Sequence, residues 1–216
     1  MQEDILQATA LHVRQVFERD SSGHDWWHIH RVWRNAIAIC RHEQADRFVV
    51  ELAALLHDLD DWKLNPSADG TPAQALAWMQ EQGVAAEVRE QVREIITHLS
   101  FKGAGVVNGI RTLEGRIVQD ADRLDAIGAV GIGRAFAYGG HKGRLMHDPE
   151  QPPQLHATFE QYQSSEGTTI NHFHEKLLLL KNRMNTATGR RIAEERHAFM
   201  EAFLAQFHRE WDDADH

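Results

Sequence analysis

Two adjacent residues set the chemical question. His57-Asp58 lies within Glu51-Leu52-Ala53-Ala54-Leu55-Leu56-His57-Asp58-Leu59, a segment apolar nearly all round. A helix of that composition is buried on several sides. A charged carboxylate buried beside an imidazole is costly unless something compensates it. A divalent cation would compensate it; an ordinary hydrogen-bonded His–Asp pair at a helix end is the plain alternative. Two other places offer partners. Asp122 and Asp125 in Asp120-Ala121-Asp122-Arg123-Leu124-Asp125 are three apart and share a helix face, whereas Asp120 diverges from Asp122. His28 begins a helical segment on the edge that continues to Val32, Asn35 and Ile39, so its ring leans toward the core. Two imidazoles with two carboxylates suit a mid-row ion such as Mn, Fe, Co, Ni or Zn, whereas pure oxygen ligation would suit Mg or Ca.

Helices have to position these groups, because helical periodicity dominates the chain. Leu6, Ala10, Val13 and Phe17 define one helix face, ended by Asp20-Ser21-Ser22-Gly23. A second helix is expected from about His28 to Glu43, with Val32, Ala36, Ile39 and Cys40 inward. The Glu51–Leu59 helix follows, then a loop at Pro66. Thr71-Pro72 reads as an N-cap with proline at the first helical position. Val88, Val92, Ile95, Ile96 and Leu99 mark a further helix, and Gly103, Gly105 and Gly109 loosen the next connection. Ile117, Ala121, Leu124 and Gly128 share a side of a helix rich in small residues. Residues 138–153 read as a long surface loop. Two helices close the chain, the last with Met200, Phe203, Leu204, Phe207 and Trp211 on one stripe. No repeat and no alternating strand series is present. The expected architecture is all-α: a compact helical bundle forming a single domain over residues 1–216.

Composition limits the partners. The 216 residues carry a formal net charge of -9, with 42% hydrophobic and 25% charged residues. That is a globular profile without a basic footprint for long nucleic acid. A local cation can still draw an anionic small molecule. Fifteen histidines are many, and the one cysteine, Cys40, excludes a cysteine zinc site. No run spans a membrane, and Met1-Gln2-Glu3-Asp4 does not open like a signal peptide, so a cytoplasmic location without membrane contact is expected.

The same residues carry a family resemblance. His28 with Arg31-Val32, then Leu55-Leu56-His57-Asp58, then Ala121-Asp122-Arg123-Leu124, resembles the H…HD…D signature of the HD-domain superfamily over roughly residues 20 to 130. Nearly the whole chain resembles one bacterial branch, the small YpgQ/YedJ-like HD hydrolases. The matching words are Gly23-His24-Asp25-Trp26-Trp27-His28, the run from Gln119 to Gly128, Asn171-His172-Phe173, Glu175-Lys176-Leu177-Leu178 and Met184-Asn185-Thr186. The resemblance implies an all-α fold of the HD type, one divalent cation (Mn favoured; Fe, Co, Ni or Zn as alternatives) and hydrolysis of phosphate esters or anhydrides. It carries His28, His57, Asp58 and Asp122 over as the metal ligands.

Around such a centre other residues acquire expected roles. Asp61, three residues after Asp58, is the candidate general base; the competing reading is that Asp60 and Asp61 merely end the helix in solvent. His98 either reaches substrate phosphates or satisfies carbonyls at a helix end. Lys102 and Arg123, with Lys142 and Arg144 behind them, are candidate phosphate clamps, although such side chains are usually just solvated. Asp125 holds a substrate hydroxyl or orients a ligand from behind. Trp26 and Trp27 either stack on a base or cap the core. His24 lies in the glycine-containing turn, and His172 and His174, two apart, diverge, so a second metal site is not expected. The leading functional reading is a nucleotide phosphohydrolase, with nucleoside triphosphate pyrophosphohydrolase favoured. The alternatives are a 5′-nucleotidase of the same fold and a non-catalytic nucleotide-sensing module; a structural helical protein stands last. The exposed ends of the last helices leave room for a homodimer.

Overall fold

The computed structural model describes residues 1–18, 25–60, 71–99, 109–154 and 167–212, and among them there are helices and no strand. The elements are α1 (Gln2–Phe17), α2 (Trp26–Cys40), α3 (Arg47–Leu56), α4 (Ala73–Glu81), α5 (Ala86–Leu99), α6 (Leu113–Asp125), α7 (Gly128–His141), α8 (Thr169–Glu175), a 3-10 segment (Leu177–Arg183) and the long α9 (Ala187–Asp212). No helix among the described residues is long and apolar enough to cross a membrane.

The apolar segment recognised in the sequence is the centre of the fold. Every residue of α3 from Phe48 to Leu56 is buried, and α1, α2, α5 and α6 all pack against it. Its one internal charge, Glu51, is satisfied: the carboxylate accepts from Trp33 Nε1 at 2.7 Å and Arg47 Nε at 2.5 Å. Local chemistry sets where the site-bearing helices begin. Asp25 caps α2 by accepting from the His28 N–H, Asp46 caps α3 through the Phe48 and Val49 N–H groups, and Thr112 caps α6 through Gly115 N–H.

Three sequence expectations change. The α3 helix stops at Leu56, so His57 and Asp58 stand on the turn that ends it rather than within it. Gly128 does not continue α6: its φ of 78° breaks the chain direction and opens α7. Residues 138–153 are a loop only from Lys142, because α7 runs on to His141.

The C-terminal half closes over α6 and α7 through α9. Phe136, Phe173, Phe203 and Phe207 form a group of ring contacts beneath α9, and Trp211 extends it by stacking on Phe207 at 5.6 Å between centroids. The start of α9 is anchored by a carboxylate from α6. Asp120, fully buried, accepts from the backbone N–H groups of Asn185 and Thr186 and from the side chains of both. Gly189 sits against this carboxylate, where a Cβ would lie 2.5 Å from Asp120 Oδ2. Gly189→Ala is therefore expected to destabilise the fold by about 1–3 kcal/mol through overpacking, despite alanine's better helix propensity. Chemical denaturation measures this, and an unchanged or raised midpoint would contradict the close fit.

Candidate metal centre

Three elements bring the centre together. α2 supplies His28 one turn from its Asp25 cap; the turn after α3 supplies His57 and Asp58; the last turn of α6 supplies Asp122 and Asp125. Asp60 pins the α3 turn from its far side by accepting from the Gln74 and Ala75 N–H groups at 3.0 Å each. It thus caps α4 in place of Thr71, the cap expected from sequence, and is not merely solvated.

His28, His57 and Asp58 offer ligand atoms that all lie within 4.8 Å of one another, and all three residues are buried. His28 Nε2 is 3.3 Å from Asp58 Oδ2 and 3.7 Å from Asp122 Oδ1; His57 Nε2 is 3.4 Å from Asp58 Oδ1. The Asp122 side chain is 37% exposed, unlike the other three.

The protonation pattern tests whether a cation fits. His57 Nδ1 donates to the Ala54 carbonyl at 2.9 Å, which leaves Nε2 as the bare acceptor. That Nε2 is buried and has no hydrogen-bond partner among the described residues. Buried acceptors are rarely left so, and a cation is the partner this one suits. His28 is oriented in the same sense: Nδ1 faces Asp125 Oδ2 at 2.7 Å, so Nε2 turns toward Asp58 and Asp122. Two neutral imidazoles and two carboxylates would balance a dication. Burial pulls the His28 imidazole down, but hydrogen bonds to Asp125 and Asp58 and the Asp58 charge outweigh it and raise it to about 9. A cation would displace the imidazolium proton.

Asp125 is the hub behind His28. It is 1% exposed and accepts from Arg31 Nε at 2.6 Å and Nη2 at 3.1 Å, and also from Arg134. Burial alone would raise its carboxyl; hydrogen bonds from His28 and Arg31 and the His28 and Arg134 charges instead hold it far below the ordinary carboxylate range. Its oxygens are taken by protein donors, so of its two expected roles the structure favours orienting His28 over holding a substrate hydroxyl.

The remaining expectations divide. Arg123, expected as a phosphate clamp, donates to the Arg183 carbonyl and braces the 3-10 segment. His98 closes α5 with Nδ1 donating to the Glu94 carbonyl at 2.8 Å, the capping alternative. Lys142 and Arg144 lie over the Tyr138 ring at 5.6 and 5.9 Å. Trp26 is buried, whereas Trp27 is 57% exposed. Asp61, Lys102 and His24 lie outside the described residues. Sequence reasoning passed over Arg31 as a working residue and missed Arg134 altogether; the His28-x-x-Arg31 spacing, one helical turn, was the available signal for the first.

His172, expected to diverge from His174, lies half-buried on α8. Burial, with the Lys176 and Arg144 charges, pushes it down from 6.5 to about 3. A histidine depressed in the fold favours folding above its unfolded pKa, and that contribution is lost as pH falls from about 6.5 toward 3. Denaturation midpoints are therefore expected to drop between pH 7 and pH 4, and to drop less in His172→Gln. Parallel decline in the two proteins would refute the assignment.

Comparison with known proteins agrees with this geometry. The family model for the HD domain matches residues 26–127. The Bacillus subtilis (strain 168) protein YpgQ is 42% identical over 199 residues, covering 92% of this chain and 89% of YpgQ. The chain belongs to the HD-domain superfamily. Among solved structures, an HD-superfamily hydrolase from Bacillus thuringiensis superposes with a TM-score of 0.79 at 42% identity, covering 99% of this chain and 100% of that one. Bacillus subtilis YpgQ in complex with ADP superposes with a TM-score of 0.78 at 36% identity, covering 97% of this chain and 96% of that one. As in an HD domain, the chain has its His–Asp turn after α3 and the carboxylates Asp122 and Asp125 at the end of α6, both inside the matched range.

Proposed function

We propose that this HD hydrolase is a divalent-cation-dependent phosphohydrolase acting on nucleotides, with His28, His57, Asp58 and Asp122 as the ligands. The observation that carries it is the buried, unpartnered His57 Nε2 beside Asp58 and His28. When bound, the cation supplies Lewis-acid polarisation of a phosphoryl oxygen and acidifies a water. The chain's own groups do the rest. His57 is held by the Ala54 carbonyl and His28 by Asp125, so both Nε2 atoms face Asp58 before any ligand arrives. Asp61 is the proposed base that takes the water proton, on the strength of its place three residues after Asp58 in sequence.

Nucleoside triphosphates, cleaved between the α and β phosphates, are the favoured substrates, and Mn the favoured ion. YpgQ's complex with ADP supports a nucleotide carrying more than one phosphate. Purified protein mixed with nucleoside and deoxynucleoside tri- and monophosphates plus Mn²⁺ tests this by phosphorus NMR. Pyrophosphate and monophosphate products would support the proposal. Orthophosphate released from monophosphates would make the chain a nucleotidase. Binding of nucleotides without turnover would overturn the enzyme reading in favour of a sensor.

A further inference from the structure

Resting on that metal centre, we infer that Arg134 is a positioning residue for it, acting from α7 through Asp125 on His28. Arg134 lies beyond the residues that match the HD domain, on a helix that contributes no candidate ligand. Its Nη1 nevertheless donates to Asp125 Oδ2, the oxygen that holds His28 Nδ1, and lies 3.0 Å from that nitrogen. Arg31 grips the same carboxylate from the opposite helix, α2, mainly through Oδ1. The two guanidiniums overlap at Oδ2. Arg31 spans both carboxylate oxygens and ties Asp125 to α2, and Arg134 adds a donor from α7 to the oxygen that faces the imidazole.

The backbone turn before α7 makes this reach possible. Gly128, with φ of 78°, redirects the chain after α6 and brings α7 back over Asp125. At Gly131 a Cβ would lie 2.3 Å from the Ala126 carbonyl, so the first turn of α7 is pressed against the end of α6. A hydrogen-bond partner behind a metal-bound histidine fixes its ring orientation and tautomer, and losing such a partner costs about 10–100-fold in metal affinity. Arg134 shares its acceptor with Arg31, so the low end of that range applies. It reaches Asp125 with a single nitrogen, a contact that a lysine ammonium can also make.

The test is Mn²⁺ binding, followed by electron paramagnetic resonance, together with the visible spectrum of the Co²⁺-loaded protein, for wild type, Arg134→Gln and Arg134→Lys. Arg134→Gln is expected to weaken Mn²⁺ binding about tenfold and to shift the Co²⁺ bands, and Arg134→Lys to recover most of both. In an Asp125→Asn background, Arg134→Gln should add little, because both changes act on one hydrogen-bonded unit. Wild-type affinity and spectrum in Arg134→Gln would overturn the inference while leaving the metal centre standing. Equal losses in the Lys and Gln variants, or full additivity with Asp125→Asn, would mark a packing role and overturn it as well. A wild-type protein that binds no Mn²⁺ would remove the metal centre itself.

Discussion

Asp58→Ala is expected to abolish saturable Mn²⁺ binding and to lower nucleotide hydrolysis by roughly three orders of magnitude, the scale of losing one group that stabilises transition-state charge. Asp58 is the member of the cluster that meets both histidines, 3.3 Å from His28 Nε2 and 3.4 Å from His57 Nε2. Its removal leaves two imidazoles and the half-exposed Asp122, a set with one carboxylate fewer and no bridge between the histidines. The same variant separates binding from folding. Mn²⁺ at about 100 times its dissociation constant should stabilise the wild type by about 2.7 kcal/mol and leave Asp58→Ala unmoved. Thermal denaturation with and without the ion reads this directly. Equal stabilisation of both proteins would show that the ion binds elsewhere, and full activity in Asp58→Ala would remove the proposed centre.

The second large effect concerns the carboxylate two residues before Asp122. Asp120→Ala is expected to cost about 3–5 kcal/mol, because several buried neutral donors would be left short of their acceptor at about 1–3 kcal/mol each. The Asn185 and Thr186 N–H groups, the Asn185 amide and the Thr186 hydroxyl all converge on Asp120 at 2.8–3.0 Å, and of these the Asn185 amide has a second acceptor, Gln119 Oε1 at 3.1 Å. For a chain of this size that corresponds to a fall in Tm of roughly 10 °C or more. The damage should spread, because this junction holds the start of α9 against α6, and α6 carries Asp122 and Asp125. A loss below 1 kcal/mol in chemical denaturation would mean that α9 is held by its apolar stripe instead. Burial raises the Asp120 carboxyl, and the Asn185 and Thr186 hydrogen bonds offset that pressure. These donors account for the Met184-Asn185-Thr186 word, which in the sequence carried resemblance without a role.

Much of this molecule was legible before any coordinates. Helical class, the burial of α3 and the prominence of His28, His57, Asp58 and Asp122 followed from period, composition and order, because apolar spacing and an acid in a greasy segment are local signals. His28, His57 and Asp58 cluster in space, and Asp122 stands 3.7 Å from His28 Nε2 at the edge of that cluster, although they come from three elements. What tertiary structure decided was direction. Asp120, Asp122, Arg123 and Asp125 lie within one and a half helical turns, yet only Asp122 and Asp125 share a neighbour. Asp122 turns toward His28, Asp125 toward His28 and two arginines, Asp120 toward the start of α9, and Arg123 toward Arg183. Spacing alone separates such faces but cannot say what each face meets. Arg134 was silent in the sequence for the same reason: the turn at Gly128 carries it back to Asp125, and a long-range contact of that kind leaves no periodic trace. Which residues are able to bind a cation is a matter of side-chain chemistry and can be read from the chain. Which of them are aimed at one point depends on how α2, α6 and α7 pack around α3.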